Sequence, residues 1–161
     1  GSSTAHPLNI LKTGHYERSF ALNVIAGFEL AKQITKKKHF SEQGGSLCFI
    51  GSIMGSTGGA AKTVYCSTKA ALIGGAKALA LELAPKKIRV NVVSPAMVAT
   101  NMLNIYFSKL SDREKTEMLD LHPLGLGTPV DVAMSVAFLL SDNARWITGT
   151  DLIIDGGYSA R

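Results

Sequence analysis

The chain has 161 residues, of which 46% are hydrophobic and 18% charged, and this composition fits one globular domain over residues 1–161 rather than a disordered or fibrous segment. Its formal net charge of +5 permits an anionic ligand, but the basic run at 36–38 has no interleaved aromatic residues. We therefore interpret the run as a solvated surface and expect no nucleic-acid partner, and because no apolar run reaches the length of a membrane span we expect no membrane partner.

The cysteines and the first residues bear on location. Cys48 and Cys66 are the only cysteines, and their spacing suits neither a disulfide framework nor a metal site, so we predict no metal. The opening segment "GSSTAHPLN" lacks the pattern of a signal peptide, which together with the cysteine usage predicts a cytoplasmic protein. It also lacks an initiator Met, and residues 1–3 are interpreted as a cloning remnant.

Helices and strands are predicted to alternate along the chain. Apolar residues at helical spacing predict a helix over 18–38, which ends in cations as a helix C-terminus prefers. The short apolar run at 47–50 follows two glycines and predicts a buried strand. A long apolar helix is predicted over 67–85, and a second buried strand, stopped by a proline, over 88–95.

The last part of the chain completes the alternation. An irregular, more polar stretch is predicted over 101–127, after which Thr128 as N-cap, Pro129 at the first helical position and Asp131 in the first turn predict a helix. The last strand is predicted over 150–157. This order implies an α/β fold, a doubly wound parallel sheet with helices on both faces, whose ligands bind beyond the carboxyl ends of the strands.

The segment "GSIMGSTGGAAKTVYCSTKAAL" over 51–72 carries the candidate chemistry. Tyr65 and Lys69 lie one turn apart on one face of a helix, and because an ammonium near a phenol favours the phenolate, we expect a lowered pKa for Tyr65. Ser52 ends a predicted strand, where its hydroxyl could donate to a carbonyl oxygen that Tyr65 protonates. The alternative is an exposed surface pair, since the Tyr–Lys spacing also arises by chance.

The spacing of Ser52, Tyr65 and Lys69 matches the catalytic segment of the short-chain dehydrogenase/reductases, a family with a Rossmann-like fold. The sequence resembles the C-terminal two-thirds of such a protein from about residue 18 to its end. The resemblance implies that Ser52, Tyr65 and Lys69 are catalytic. It also implies that Asn23, in "ALNVIAG", holds a proton-relay water near the lysine.

The loop "NVVSPAMVAT" resembles the family's segment beneath the nicotinamide. The resemblance implies that the cofactor is bound by six residues of this chain: Tyr65, Lys69, Pro95, Ala96, Val98 and Thr100. Ala96 stands where the family usually has glycine. The extra methyl group of alanine is tolerated at this position only if the backbone there does not need a positive φ. The alternative interpretation is a strand that ends at a proline and is followed by an incidental threonine.

The resemblance implies an NAD(P)-dependent oxidoreductase that transfers hydride between the nicotinamide and a small carbonyl or alcohol substrate. "HPLGLGTPVDVAMSVAFLLSD" looks most like reductases of 3-oxoacyl thioesters, and 101–127 corresponds to the family's variable substrate lid, whose apolar face could equally be lid core. The family also implies a homotetramer or homodimer, formed through the helices at 18–38 and 67–85 and the C-terminal strand. Trp146 and Tyr158 could equally belong to the core, belong to this interface or have a functional role.

The family's phosphate-binding glycine turn, its charge-selecting residue and its N-N-A-G segment do not occur in the sequence. NAD therefore cannot be distinguished from NADP. We expect the sequence to be part of a complete enzyme that begins with about three further βα units, and we expect the 161 residues alone to bind dinucleotide poorly. A catalytically inactive fragment and a non-enzymatic binding or assembly module on the same fold stay open as alternatives.

Overall fold

The computed structural model describes residues 3, 5–36 and 41–160. Three strands form one sheet in the order β1 (Gly45–Ile50), β2 (Ile88–Pro95) and β3 (Asp151–Ile154). Both neighbouring pairs are parallel, with Gly45 beside Ile88 and Val92 beside Asp151. The predicted parallel sheet is confirmed.

The α-helices of the described residues are α1 (Thr13–Phe20), α2 (Ala26–Ile34), α3 (Thr63–Leu83), α4 (Asn101–Phe107), α5 (Asp112–Asp120) and α6 (Pro129–Leu140). A single π-helical segment, Ala21–Ile25, joins α1 to α2 without a break. Short 3-10 turns lie at Leu8–Ile10, Ile53–Gly55, Ala84–Lys86 and Asp142–Ala144. None of the described helices is long and apolar enough to cross a membrane.

Helices cover both faces of the sheet because the side chains of β2 alternate between them. On one face Val90 and Val92 pack with Ala76 and Ala80 of α3 and with four further core residues: Leu83, Ile88, Leu47 and Phe49. On the other face Val93 packs with residues of α6, of β3 and of the segment between them: Leu139, Val132, Val136, Ala144, Ile147, Leu152 and Ile154. The central strand is therefore buried on both sides, as its continuous apolar sequence predicted.

The predicted start of α6 is confirmed at Thr128. Its side chain accepts from the Asp131 N–H, and the Asp131 carboxylate accepts from the Thr128 N–H at 2.6 Å and hydroxyl at 2.7 Å. This reciprocal pair satisfies backbone donors that a helix N-terminus leaves unpaired. The first turn of α6, with Pro129 and Val132, is thereby fixed beside the carboxyl end of β2.

Several predicted boundaries differ from the structure. The helix predicted over 18–38 begins earlier, at Thr13, and its α-helical part ends at Ile34, while 37–40 lie outside the described residues. The early start was missed because Gly14 and the polar first turn are weak helix signals. The long helix predicted over 67–85 is α3, which begins at Thr63.

The prediction of an irregular stretch over 101–127 is wrong, because that stretch contains α4 and α5. The second of these helices begins with a capping box in which Ser111 N–H donates to Glu114 at 2.8 Å and Glu114 N–H donates to the Ser111 hydroxyl at 3.3 Å. These helices have only seven and nine residues, so neither is long enough for its helical period to be clear in the sequence.

The last strand ends at Ile154 rather than at residue 157. Asp155 turns the chain there, because its carboxylate accepts from the N–H groups of Gly157 at 3.0 Å and Ser159 at 2.8 Å. Gly156 and Gly157 both have positive φ, which ends the extended backbone.

Candidate active site

A cavity of about 400 Å³ opens at the carboxyl ends of β1 and β2. Its lining comes from the ends of both strands, from α3, from the loop after β2 and from the first turns of α4 and α6: Ser3, Ile50, Gly51, Ser52, Tyr65, Lys69, Pro95, Ala96, Val98, Thr100, Met102, Pro129 and Val132. The lining is therefore mostly apolar, with a few polar groups concentrated on the side of Ser52 and α3. Such a cavity at the carboxyl edge of a parallel sheet is the usual ligand site of this class of fold.

Gly51 brings the end of β1 close to β2. A Cβ atom at this position would lie 2.5 Å from the Ser94 hydroxyl oxygen and 2.6 Å from a methyl group of Val92, so a side chain there requires β2 to move. The next residue, Ser52, is 8% exposed, and its hydroxyl accepts from the Met54 N–H at 3.3 Å at the start of a 3-10 turn. The close strand packing thus fixes the position from which the Ser52 hydroxyl faces α3.

Tyr65 lies in the first turn of α3 and lines the same cavity as Ser52. Burial raises the pKa of the Tyr65 phenol, the Ser52 hydroxyl opposes this rise, and Cys66 adds to it. The expected lowering of this pKa is therefore wrong for this structure, because burial of the phenol outweighs the groups that favour its ionised form. At neutral pH the phenol stays protonated and can donate a proton.

Lys69 lies one turn further along α3 and is 7% exposed. Its ammonium donates to the Ile50 carbonyl at 2.9 Å and lies 5.7 Å from the centre of the Tyr65 ring. Burial lowers the pKa of Lys69. The contact with Ile50 joins α3 to the last residue of β1, directly before Gly51 and Ser52, so Lys69 holds the two halves of the polar side of the cavity together.

Asn23 lies in the π-helical segment and is buried, but it does not line the cavity. Its side-chain amide donates to the Thr68 hydroxyl at 3.3 Å, and that hydroxyl donates to the Tyr65 carbonyl at 2.8 Å. Asn23 is thus joined to the backbone of Tyr65 through one intermediate side chain. The π-helical geometry that presents Asn23 to α3 was not visible in the sequence, although such segments are common at functional sites.

The four residues expected in the loop after β2 all line the opposite side of the cavity: Pro95, Ala96, Val98 and Thr100. The loop is held by Gly127, whose N–H donates to the Met97 carbonyl at 3.1 Å and whose carbonyl accepts from Ala99 at 2.8 Å. In the described chain the non-glycine residues with positive φ are Ala61 and Lys87, so Ala96 does not adopt a backbone that requires glycine.

Sequence reasoning missed several residues of the lining, which come from elements whose approach depends on tertiary packing: Ile50, Gly51, Met102, Pro129 and Val132. Gly51 had a signal, since a glycine between an apolar strand and a serine marks close backbone approach. Met102 falls within 101–127, which the resemblance assigns to the substrate lid, but its place on the lining depends on α4, which was not predicted.

Comparison with known proteins gives the family. A profile described as Enoyl-(Acyl carrier protein) reductase matches residues 3–159. The 3-oxoacyl-[acyl-carrier-protein] reductase FabG of Haemophilus influenzae is 42% identical over 139 residues, which make up 84% of this chain and 54% of that protein. Carbonyl reductase family member 4 of Xenopus laevis is 38% identical over 138 residues, 85% of this chain and 54% of that protein. The chain therefore spans about half the length of these relatives.

Solved structures agree with the fold. A 4-hydroxyisoleucine dehydrogenase mutant complexed with NADH and succinate superposes with a TM-score of 0.91 at 30% identity, covering 100% of this chain and 66% of that one. The structure of ElxO with NADP bound gives a TM-score of 0.83 at 31% identity, covering 100% of this chain and 65% of that one. The profile match, the relatives and the Rossmann-like architecture together establish that the chain belongs to the short-chain dehydrogenase/reductase family of oxidoreductases, with 3-oxoacyl reductases among its relatives.

Proposed function

We propose that the protein of which this chain forms part is an NAD(P)-dependent oxidoreductase that interconverts a small carbonyl compound and its alcohol. The observation that carries the proposal is that Ser52, Tyr65 and Lys69 all line one largely apolar cavity at the carboxyl ends of the strands. A nicotinamide cofactor supplies the hydride in this chemistry. Proton transfer to or from the substrate oxygen is then the task of the side chains.

Each polar side chain has a role in the proposal. Tyr65 donates its phenolic proton to the carbonyl oxygen during reduction, and the raised pKa keeps it protonated and ready for this step. Ser52 donates a hydrogen bond to the same oxygen and polarises the carbonyl. Lys69 acts as a positioning residue through its bond to Ile50. Asn23 supports a proton-relay water near Lys69.

The chain's residues fit one end of a nicotinamide cofactor. Pro95, Ala96, Val98 and Thr100 line the same cavity as Tyr65, and the backbone of their loop is hydrogen-bonded to Gly127 at Met97 and Ala99. These residues, with Tyr65 and Lys69, would hold the nicotinamide ring. Related solved structures contain NADH in one case and NADP in another, so the proposal names the nicotinamide and leaves the choice between the two to titration.

The proposal is tested on the complete protein by following NADH and NADPH oxidation at 340 nm with ketones, aldehydes and 3-oxoacyl thioesters. Tyr65→Phe removes the proton donor while keeping the ring, and we expect it to lower kcat by about 100-fold or more. Tyr16→Phe, on α1 and away from the cavity lining, is the matched control and should retain wild-type turnover. Undiminished activity of Tyr65→Phe would contradict the assignment, and no turnover of any carbonyl class by the wild type would favour a binding module.

We also propose that the protein is a homodimer or homotetramer. Apolar side chains of the π-helical segment and α2 are exposed, at 55% for Leu22, 54% for Ile25 and 61% for Leu30, and on α3 Leu81 is 79% exposed. Leu22 and Ile25 are three residues apart and so lie on one face of the helix, and an exposed apolar face is typical of a protein–protein interface. Sedimentation velocity at micromolar concentration should show an assembly that Leu30→Glu weakens, whereas a monomeric wild type would refute the proposal.

A further inference from the structure

Two histidine rings are in contact where the chain enters α1. The ring centres of His6 and His15 lie 4.3 Å apart, and the ring planes are almost perpendicular, at 88°. His6 belongs to the residues before α1, 5–12, which we call the entry segment, and His15 lies in the first turn of the helix. The contact therefore joins the entry segment to α1.

The hydrogen bonds of the two rings indicate where each ring carries its proton. Nδ1 of His6 lies 2.7 Å from the Ala5 carbonyl oxygen, and because a carbonyl only accepts, this nitrogen carries a proton. Nδ1 of His15 instead accepts from the Lys12 N–H at 3.2 Å, so the proton of His15 is on Nε2. This arrangement requires a neutral His15, because a second proton would have to bind the Nδ1 atom that faces the Lys12 N–H.

The charges that act on His15 are all positive. Partial loss of hydration lowers the pKa of His15, and the charges of His6, Arg18 and Lys12 lower it further. Glu17 is the acidic residue of α1, but it forms no ion pair with either ring in the described part of the chain. A proton added to His15 therefore meets neighbouring cations and no counter-ion.

The entry segment connects the histidine pair to the cavity. The His6 N–H donates to the Ala61 carbonyl at 2.7 Å. Ala61 has φ of 60°, which is uncommon for a residue with a side chain, and it directly precedes Lys62, the N-cap residue of α3 and again a cation. Tyr65 follows in the first turn of α3, and both Tyr65 and Ser3 line the cavity. A movement of the entry segment therefore reaches the cavity through the start of α3.

We propose that the contact between His6 and His15 is a pH-sensitive switch, which holds the entry segment against Ala61 at neutral pH and releases it under mildly acidic conditions. Protonation of His15 turns its Nδ1 from an acceptor into a donor that faces the Lys12 N–H, so this hydrogen bond is lost. Release of the segment removes the bond to the Ala61 carbonyl, and we expect the first turn of α3 to become more mobile. The switch depends on this geometry and not on the proposed reaction.

Hydrogen exchange in the complete protein tests the switch without any turnover. After correction for the intrinsic effect of pH on exchange, the entry segment should exchange about 5-fold faster at about pH 5.5 than at about pH 7.5, because two unit charges about 4 Å apart in water change an equilibrium by that factor. Peptides that cover 5–12 and the start of α3 report this ratio.

His15→Gln is the informative variant, because glutamine at the third helical position accepts the N-cap N–H, as His15 does, but does not titrate. Its exchange ratio should stay close to 1. His6→Phe keeps a ring beside His15 and the N–H that donates to Ala61, so its ratio should lie below that of the wild type. Glu17→Gln is the matched control, since it removes a titratable group of the same helix that pairs with neither ring, and it should keep the wild-type ratio.

Stability gives a second measurement of the same switch. Because the pKa of His15 is lowered, the folded protein binds this proton less tightly than the unfolded chain does, so the wild-type Tm should fall relative to that of His15→Gln as the pH drops below about 6.5. An exchange ratio near 1 in the wild type, or equal ratios in the wild type and His15→Gln, would overturn the inference whatever the activity. Faster exchange that depends on His15 supports the inference even if no carbonyl compound is turned over, in which case the proposed function fails alone.

Discussion

Gly75 is the point at which α3 meets the ring of Phe28 on α2. A Cβ atom on Gly75 would lie 2.2 Å from the ring atom Cζ, 2.8 Å from Cε2 and 3.0 Å from Cε1, whereas ordinary contact begins at 3.4 Å. The Phe28 ring in turn stands edge-on to Phe49 of β1, with 5.5 Å between ring centres, so it cannot retreat freely. Gly75→Ala therefore forces α2 away from α3 by roughly 1 Å.

The neighbouring glycine provides the control for the size of this effect. Gly74 lies in the same helix, but a Cβ atom there meets nothing within 4 Å. Gly74→Ala should gain only the better helix propensity of alanine, about 0.5–1 kcal/mol. Gly75→Ala gains about 1 kcal/mol at most in the same way and loses about 2–3 kcal/mol, the upper part of the usual range for overpacking, because its closest contact would be 2.2 Å; we therefore expect a net loss of about 1–2 kcal/mol.

Thermal unfolding followed by circular dichroism measures both substitutions. With about 2–4 °C per kcal/mol for a protein of this size, Gly75→Ala should lower Tm by about 2–8 °C, and Gly74→Ala should raise it by about 1–4 °C. Sedimentation at the same concentrations checks that neither change alters assembly. Equal stability of the two variants, or a Gly75→Ala protein as stable as the wild type, would show that α2 and α3 are not packed as described.

Three further predictions concern single side chains. Burial raises the pKa of Tyr65, so the folded state holds the phenolic proton more tightly than the unfolded state does. As the pH rises above about 10, the free energy of unfolding of the wild type should therefore fall relative to that of Tyr65→Phe. A difference between the two proteins that does not change with pH would contradict this. Thr128→Ala should lower Tm at pH 7, because the hydrogen bonds from Thr128 lower the pKa of Asp131 in the folded state. The Tm difference between wild type and variant should shrink as the pH falls below about 4 and Asp131 is protonated. A Tm difference that does not change with pH would refute the contribution of this pair. Because burial raises the pKa of the Cys48 thiol, mass spectrometry should find it alkylated by iodoacetamide at pH 8 much more slowly in the folded than in the urea-unfolded protein; similar rates would refute its burial.

The sheet could be predicted because each of its buried strands can be recognised from a short run of its own residues. The apolar runs that became β1 and β2 are continuous, and a strand buried on both faces needs no partner to be recognised in sequence. The capping pattern at Thr128 likewise contains all of its partners within four residues. Ser52 and Tyr65 could be predicted to share a site, because Ser52 directly follows a strand and Tyr65 lies at the start of the next α-helix.

The rest depends on distant parts of the chain. The direction of the Tyr65 pKa follows from how deeply the phenol is buried, which no local spacing reveals. The contact between Lys62 and Tyr106 joins residues on separate elements, one of them in a helix that the sequence did not predict. Helix α4 has only seven residues and no side-chain hydrogen bond at its N-cap, so its sequence lacks the signals that mark a helix start.

The π-helical segment at Ala21–Ile25 determines how α1 is rotated about the helix axis relative to α2. Each residue turns an α-helix by about 100°, so deleting one residue here would restore a regular helix and rotate α1 relative to α2 by that angle. Phe28 would keep its contact with Gly75, but the amide at position 23 would no longer face Thr68. A single-residue deletion in this segment would therefore change the direction of the Asn23 side chain as well as the length of the helix. A sequence design that makes the helix regular would separate Asn23 from Thr68 of α3 while leaving the packing of Phe28 intact.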